Sequence, residues 1–536
     1  MAIMNIQLGT WLLLDHAITH NFDVEIVTQS SITDRQRYTY ADMAKRTFQL
    51  MNALDDLELP KGSRIGTLAW NNYRHLECYF GVPCTERVLH TLNARLSPED
   101  LAFIINDAED QVIFTEPELL EALEKIAESI PSVKLFIIMG NDSEVPSGST
   151  LNVISYESFI LNHPSTYPYR EIEENTPAGL CYTSGTTGQP KGAIYTHRST
   201  YLHAIACSSA AGMSIGPSDA VLPVVPMFHA NAWGMVYAAI AVGAKLVFSY
   251  PHLHPESFVK LLQEEEVTVT GGVPTVWIQI ADELHRTKAQ LPNLREIVSG
   301  GSQPPKPLIA RYRDEFGINI VQAWGMTETS PLASIARPKH HLKHLSKDQL
   351  LDEVLSQGGI PLPGIRVTLR DDLGEEVPFD GSSMGNLYVK GAWVVDSYFK
   401  ERSPESFTND GYFVTGDVAI GNGRGYFIIA DRTKDLVKSG GEWISSVAME
   451  GAIMGMEQVA EAAVVAVVDE KWQERPVACV VLKPGVNITL EQVRDHLLKQ
   501  GFPKWQLPDR LEIISAVPRT SVGKFNKKAL RSQIIN

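Results

Sequence analysis

Eleven residues, Tyr182 to Gly192, concentrate the chemistry that a polyphosphate needs. The string carries hydroxyls at Thr183, Ser184, Thr186 and Thr187, glycines at Gly185, Gly188 and Gly192, and a lysine at Lys191. Glycines let backbone N–H groups turn towards an anion at close range. Hydroxyls donate to phosphate oxygens, and a lysine adds a point charge on a flexible stem. The string is not a Walker loop, which needs Gly-Lys followed by Ser or Thr. Here Lys191 follows Pro190 and precedes Gly192. The plain alternative is a surface turn rich in Ser, Thr and Gly.

Other residues invite chemical readings beside plainer ones. Glu328, in Gly325-Met326-Thr327-Glu328, is a hard oxygen ligand for a cation or a solvated loop carboxylate. Asp417 follows Gly416, where aspartate is a common turn residue. Lys524 sits in the turn-rich Pro518 to Lys524 run, beside Lys527, Lys528 and Arg531, and reads alone as a basic helix start. His229 reads equally as a chemical group or as a neutral, hydrogen-bonded histidine, and Phe228 as pocket or packing.

The elements that position these residues belong to a large, ordinary globular chain. At 536 residues it exceeds one core and should split into units. Hydrophobic content of 44% and charged content of 21% are typical. The net charge of −16 argues against a general nucleic-acid binder, while leaving room for a local basic loop that binds ATP. Five cysteines without CxxC spacing give no metal site and suit a reducing compartment. No basic segment precedes the first apolar stretch, so no secretory signal is expected. The most apolar window, Ala232 to Ala244, is about 13 residues, against about 20 for a membrane span. The last residues, Ser532 to Asn536, are not a peroxisomal address. A cytoplasmic location is the default expectation.

The fold class expected is α/β. Residues 1–430 should form a large domain of layered α/β subdomains, because strand-like and helix-like segments alternate there. Arg64 to Ala69, Val267 to Thr270, Ile297 to Ser299 and Asn319 to Gln322 read as strands, several of them ending in glycines. Leu308, Ile309, Tyr312 and Phe316 mark a helical face that Gly317 stops. In such sheets ligands collect at the carboxyl ends of the strands. Residues 431–436, which open with the polar run Asp431 to Asp435, are a candidate hinge. Residues 437–536 should form a small mobile α+β domain, with strands at Ala462 to Val468 and Val477 to Leu482. Its helix should start at a Thr489/Gln492 capping box, with Leu490, Val493, Leu497 and Leu498 on its apolar face.

Taken together, the motifs resemble the adenylate-forming, acyl-activating enzymes, and the resemblance covers nearly the whole chain. Within that group the chain looks most like bacterial fatty-acyl-CoA synthetases and methylmercaptopropionate-CoA ligases. The closer match rests on Leu68 to Asn72, His90 to Asn93, Pro226 to Gly234, Ala323 to Glu328 and Lys438 to Ser445. The resemblance implies a carboxylic acid, ATP, Mg²⁺ and coenzyme A as reactants or cofactors, and an acyl-adenylate on the path. It implies that Thr183, Ser184, Gly185, Thr186, Thr187 and Lys191 hold pyrophosphate, that Thr327 contacts phosphate, and that Glu328 holds Mg²⁺. Gly301, Ser302, Gln303, Ala323, Trp324, Gly325 and Met326 would line the nucleotide site, with Asp417 on the ribose and Arg432 behind it. Phe228, His229, Asn231, Trp233, Gly272, Val273 and Gly300 would line the acid's route, Trp233 as the gate of a fatty-acid tunnel. Lys524 would stabilise adenylate formation. A rotation about Lys434 would then replace it with the loop carrying Gly440, Gly441 and Trp443, which lines the pantetheine channel.

The absence of an acidic residue from Pro223 to Gly234 argues against amino-acid substrates. Two alternatives stay beside the medium- or long-chain fatty acid: 3-methylthiopropanoate as the acid, and a carrier-protein thiol as acceptor. The residues leave the oligomeric state open, a homodimer included. The chain departs from the family pattern at Cys84 to Arg87, at Ala94 where proline is usual, and at Asn422 to Gly425.

Overall fold

A computed structural model describes residues 3–31, 33–183, 189–249, 251, 253–440, 442–520 and 525–535. Among these, the strands build four sheets. The largest has a parallel centre. From one side its strands are Asn319–Gly325, Glu296–Ser299, Val269–Gly272, Ala220–Pro223, Lys245–Phe248 and Glu25–Gln29, with antiparallel strands at both edges. Central strands read as continuous buried runs because helices cover both faces. After Ala220–Pro223 the chain builds one neighbour at Lys245–Phe248 and then crosses to the other side at Val269–Gly272. That reversal opens a crevice beyond Pro223 and Gly272, where a doubly wound sheet gathers ligands.

The second sheet repeats the plan. Its order is Val153–Ser155, Leu135–Ile138, Val112–Thr115, Arg64–Leu68, Val88–Thr91, Pro177–Thr183 and Lys191–Thr196. The last two strands form an antiparallel hairpin in which Thr183 pairs with Lys191. Ser184, Gly185, Thr186 and Thr187 lie outside the described residues, as do Gly441 and Lys524.

The two large sheets are tied by the turn that follows Arg64–Leu68. Asn71 donates from Nδ2 to the carbonyls of Pro223 (3.0 Å) and Val225 (2.9 Å), and its Oδ1 accepts from the Met227 amide at 2.6 Å. Asn72 caps the helix Tyr73–Gly81 through the His75 amide. Its Nδ2 also donates to Glu116 at 2.6 Å. The Leu68 to Asn72 motif thus fixes the segment that leads to His229.

Sequence and structure differ at several elements. The strand expected over Val267 to Thr270 starts at Val269 and takes in both glycines, because Gly271 and Gly272 pair with Val298 and Ser299. The strand expected to end at Gln322 runs on to Gly325, since an antiparallel partner, Leu332–Ile335, extends the ladder. Asp431 and Arg432, at the start of the candidate hinge, close the strand Phe427–Arg432, and Asp431 is buried despite its polar surroundings in sequence.

The last hundred residues have their own core. A hairpin of Val459–Asp469 and Gln473–Leu482 packs against the helices Ser446–Ile453 and Leu490–Lys499 around Ile453, Val464, Val480 and Leu497. The Thr489/Gln492 capping box forms as expected. Leu498, expected on the apolar face, is exposed, while Val493 and Leu497 are buried.

Burial has a measurable consequence at Glu116. Loss of water, aided by the nearby charge of Glu118, pushes its carboxyl up to about 8 from an ordinary 4.5. The folded state therefore keeps a proton that the unfolded state loses, and stability falls as pH rises through that window. Glu116→Gln keeps the acceptor for Trp70 and Asn72 and removes the charge. Relative to the parent, the variant should gain about 3 kcal/mol between pH 5 and pH 8, read from urea unfolding at both pH values. An unchanged difference at the two pH values would contradict a protonated Glu116.

Candidate active site

The crevice beyond the strand ends holds a cleft that encloses about 480 Å³ when the space open to solvent is counted. It is lined by His229, Ala230 and Trp233, by Gly300 and Gly301, and by Ala323 to Thr327 with Pro331 and Leu332. Nine residues singled out from sequence therefore meet in one place: His229, Trp233, Gly300, Gly301, Ala323, Trp324, Gly325, Met326 and Thr327.

One wall is made by an unusual backbone. Ala230, Asn231, Ala232 and Trp233 have φ of 42°, 53°, 51° and 56°, and Gly234 follows at 72°. This is a single left-handed helical turn built mostly from residues with a Cβ, which disfavour that region by about 1–2 kcal/mol each. Tertiary contacts hold it. The Asn231 Oδ1 accepts from the Tyr79 hydroxyl and the Cys181 thiol, both at 3.4 Å. At Gly234 a Cβ would sit 2.3 Å from the His203 ring, so only glycine closes the turn. The outcome is a Trp233 ring laid over Gly300, where a Cβ would lie 3.2 Å from the indole.

The remaining acid-route residues lie around this wall without lining the cleft. Phe228 is buried, with its ring centroid 5.9 Å from that of Trp70. Asn231 points its amide oxygen towards Tyr79 and Cys181. The Gly272 carbonyl accepts from the Trp277 indole, and Val273 precedes the helix Pro274–Thr287.

At the other end, Trp324, Asp417 and Arg432 form one unit. Asp417 is buried inside the strand Phe413–Gly421, so it is a strand residue and not a turn residue. Its Oδ1 is 2.6 Å from Arg432 Nε across the strand pair, and its Oδ2 accepts from the Trp324 indole at 2.9 Å. That bond fixes the indole, which meets Phe427 edge-on with centroids 5.6 Å apart. Ser302 is exposed, while Gln303 donates to the Ser356 carbonyl at 3.1 Å.

Glu328 is buried in the short turn Thr327–Thr329, which excludes the solvated-loop reading. It accepts a hydrogen bond from the Tyr398 hydroxyl at 2.5 Å. The Lys191 ammonium lies 5.1 Å from the centroid of the same Tyr398 ring. The Tyr195 hydroxyl donates to the Thr327 carbonyl at 2.7 Å, so the Lys191–Thr196 strand is tied to the Thr327 turn. Burial and the Glu328 charge both push the Tyr398 phenol far up, which keeps it a donor. Among the described residues no cluster of three or more His, Cys, Asp or Glu is built for a metal.

Lys434 is exposed after the strand Phe427–Arg432. Gly440 and Trp443 sit on the hairpin Val437–Ser439 and Glu442–Ile444. Gly440 has φ of 62° and packs against Trp472. The Lys438 ammonium lies over the Trp443 ring at 5.2 Å.

Sequence reasoning passed over Tyr398, Asn71, His203, Pro331 and Leu332. Two residues separate Pro331 and Leu332 from the Ala323 to Glu328 motif, and walking that motif forward would have found them. Asn71 lay inside a quoted motif without a role. Tyr398 and His203 carry no local signal, because their partners are tens of residues away.

Comparison with known proteins agrees with this geometry. A family model described as AMP-binding enzyme matches residues 14–399, and one described as AMP-binding enzyme C-terminal domain matches residues 448–524. A long-chain-fatty-acid–CoA ligase from Thermus thermophilus is 44% identical over all of this chain and 97% of its own. A medium-chain-fatty-acid–CoA ligase from Ectopseudomonas oleovorans is 38% identical over 99% of this chain and 97% of its own. A 3-methylmercaptopropionyl-CoA ligase from Ruegeria pomeroyi is also 38% identical, over 97% and 96%. The crystal structure of an anthranilate CoA ligase in complex with anthranoyl-AMP superposes with a TM-score of 0.88 at 22% identity, covering 99% of this chain and 98% of that one, which speaks to fold alone. Two α/β sheets, a cleft at their strand ends and matches along nearly the whole length agree: the chain belongs to the AMP-binding enzyme family.

Proposed function

We propose that this protein is an AMP-forming acyl-CoA synthetase that activates a medium- or long-chain fatty acid. It is an acid–thiol ligase. The carboxylate attacks the α-phosphate of ATP, releasing pyrophosphate, and the thiol of coenzyme A then displaces AMP from the acyl-adenylate. The observation that supports this reading is one cleft lined by Trp233, Trp324 and Thr327, with Asp417 bonded to Trp324 and the Lys191–Tyr398–Glu328 group beginning at the residue after Thr327.

In this reading Asp417 takes the ribose hydroxyls, with Arg432 setting its charge and Trp324 its orientation. Thr183 and Lys191, with Ser184, Gly185, Thr186 and Thr187 between them, hold the pyrophosphate. Glu328 holds Mg²⁺, which when bound neutralises phosphate charge. Phosphoryl chemistry of this kind depends on position and charge more than on covalent help. The acid enters past Trp233 onto the floor of Gly300, with Phe228, Asn231, Gly272 and Val273 as supports and His229 at the mouth. Lys524 completes adenylation, and Gly440, Gly441 and Trp443 serve the thiol step after rotation about Lys434. A division into residues 1–430, a hinge at 431–436 and residues 437–536 goes with this reading, supported by the separate core of the last hundred residues. Among the described residues no helix is long and apolar enough to cross a membrane. A cytoplasmic location fits five buried, free cysteines. The 3-methylthiopropanoate alternative is tested in the same assay.

With Mg²⁺, ATP and coenzyme A, a panel of C4 to C16 fatty acids and 3-methylthiopropanoate should release AMP and pyrophosphate but no ADP. A highest rate on the sulfur acid would reassign the substrate, and ADP formation would refute the ligase. Lys524→Ala should slow adenylation by about 10²–10³-fold and spare thioester formation from supplied acyl-adenylate. Equal loss of both half-reactions would remove Lys524 from that role. Tyr398→Phe should lower the rate of pyrophosphate release by about tenfold or more, as expected for a lost hydrogen bond to a charged group. An unchanged rate would make Tyr398 a packing residue only.

A further inference from the structure

The two side walls of the cleft, the left-handed turn and the Pro331–Leu332 segment, meet behind the cleft at one buried side chain, His203. It lies on the helix His197–Ser208, away from every sequence motif quoted for the site. Its imidazole is the surface against which Gly234 closes the turn that carries Trp233. Its Nε2 accepts the Leu332 amide at 3.0 Å. The Leu332 carbonyl is held in turn by the Trp393 indole at 3.0 Å, and the rings of Trp393 and His203 meet edge-to-face at 6.0 Å. Cys207, one turn along the helix, places its sulfur 3.4–3.6 Å from the ring nitrogens. Burial holds the imidazole down at about 3, so Nε2 keeps its lone pair for Leu332 at any working pH.

We propose that His203 is a positioning residue that sets the gap between Trp233 and Leu332 and thereby selects the acyl chain. The inference rests on the acyl-CoA synthetase reading. Trp233 and Leu332 both line the cleft, and His203 touches the segment that carries each of them. The turn is conformationally strained, and the Leu332 amide would be a buried donor without a partner if Nε2 were removed. One imidazole answers both needs. Its reach from the helix to Nε2 sets how far the Leu332 segment stands from the turn. In an apolar slot, a gap altered by about one methylene changes discrimination by roughly tenfold or more.

Three variants of the full chain test this: His203→Leu, His203→Asn and His203→Gln. Glutamine carries an amide oxygen near the position of Nε2, whereas asparagine is too short to reach the Leu332 amide. Two readouts are needed. The first is kcat/KM across C4 to C16 acids in the AMP-release assay. The second is hydrogen exchange of segments 229–234 and 331–335. His203→Leu and His203→Asn should change the ratio of kcat/KM between the best acid and one four carbons longer by about tenfold, with the KM for ATP within about twofold. Both segments should exchange faster together. His203→Gln should keep the parental profile and protection. An unchanged chain-length profile in a folded variant would overturn the proposal, as would faster exchange in only one segment. If His203→Leu fails to fold, the Asn and Gln pair decides. A parent that released no AMP with any acid would refute the synthetase reading and chain selection with it. The exchange data would still decide whether His203 couples the walls.

Discussion

The left-handed turn from Ala230 to Gly234 is the constraint on which the cleft depends. A chain leaving Pro223 at the sheet's switch point must reach the helix Met235–Val242 while turning an indole over Gly300. It does so with four non-glycine residues at positive φ. Together they cost several kcal/mol, at about 1–2 kcal/mol each, so surrounding contacts must over-determine the turn. Asn71 holds the approach at Pro223, Val225 and Met227. The Tyr79 hydroxyl donates to the Met227 carbonyl, and Asn231 turns its amide into the core. The second sheet thus braces the first: Asn71 follows its strand Arg64–Leu68, and Tyr79 lies on the helix that Asn72 caps.

The charges at the site follow a different logic. The chain is acidic as a whole, yet its proposed reactants are anions. The conflict is resolved locally by pairing each buried carboxylate. Asp417 carries Arg432 on one oxygen and an indole N–H on the other. Glu328 carries a phenol. Each anion is therefore fixed in direction before any ligand arrives, which lowers the reorganisation needed at the moment of reaction. Lys191 lies over the ring of the same Tyr398 whose hydroxyl holds Glu328, so the cation and the carboxylate share one aromatic side chain.

How much of this was legible in the sequence depends on the distance over which each signal acts. Strand ends marked by glycines could be read locally, and Gly300, Gly301 and Gly325 do line the cleft. The helix stop at Gly317 and the Thr489 cap were local too. Element ends were less legible where a partner strand decided them, as at Gly325, whose ladder depends on Leu332–Ile335. The left-handed turn left no trace, since Ala-Asn-Ala-Trp lacks the glycines that advertise positive φ. Tyr398 and His203 act across 70 and 129 residues of chain, and neither periodicity nor a motif spans such gaps. Leu498 shows the opposite error: a residue with the right period lies exposed beside buried Val493 and Leu497.

The junction near Asp431 shows how a two-step enzyme could keep one arrangement without being trapped in it. Asp431, at the end of its strand, accepts from both the amide and the hydroxyl of Ser446. Lys527 donates to the same hydroxyl and lies 2.7 Å from Glu450, whose carboxylate also accepts the Val464 amide. All four side chains are buried. A rotation about Lys434 would part Asp431 from Ser446 while leaving Lys527 with Glu450. Buried charges of this kind cost desolvation nearly as large as the attraction they recover. Water entering as Asp431 separates would return most of that cost. Such a contact specifies one docking position sharply yet adds little to the free energy that holds it, which would suit the rotation about Lys434 proposed above.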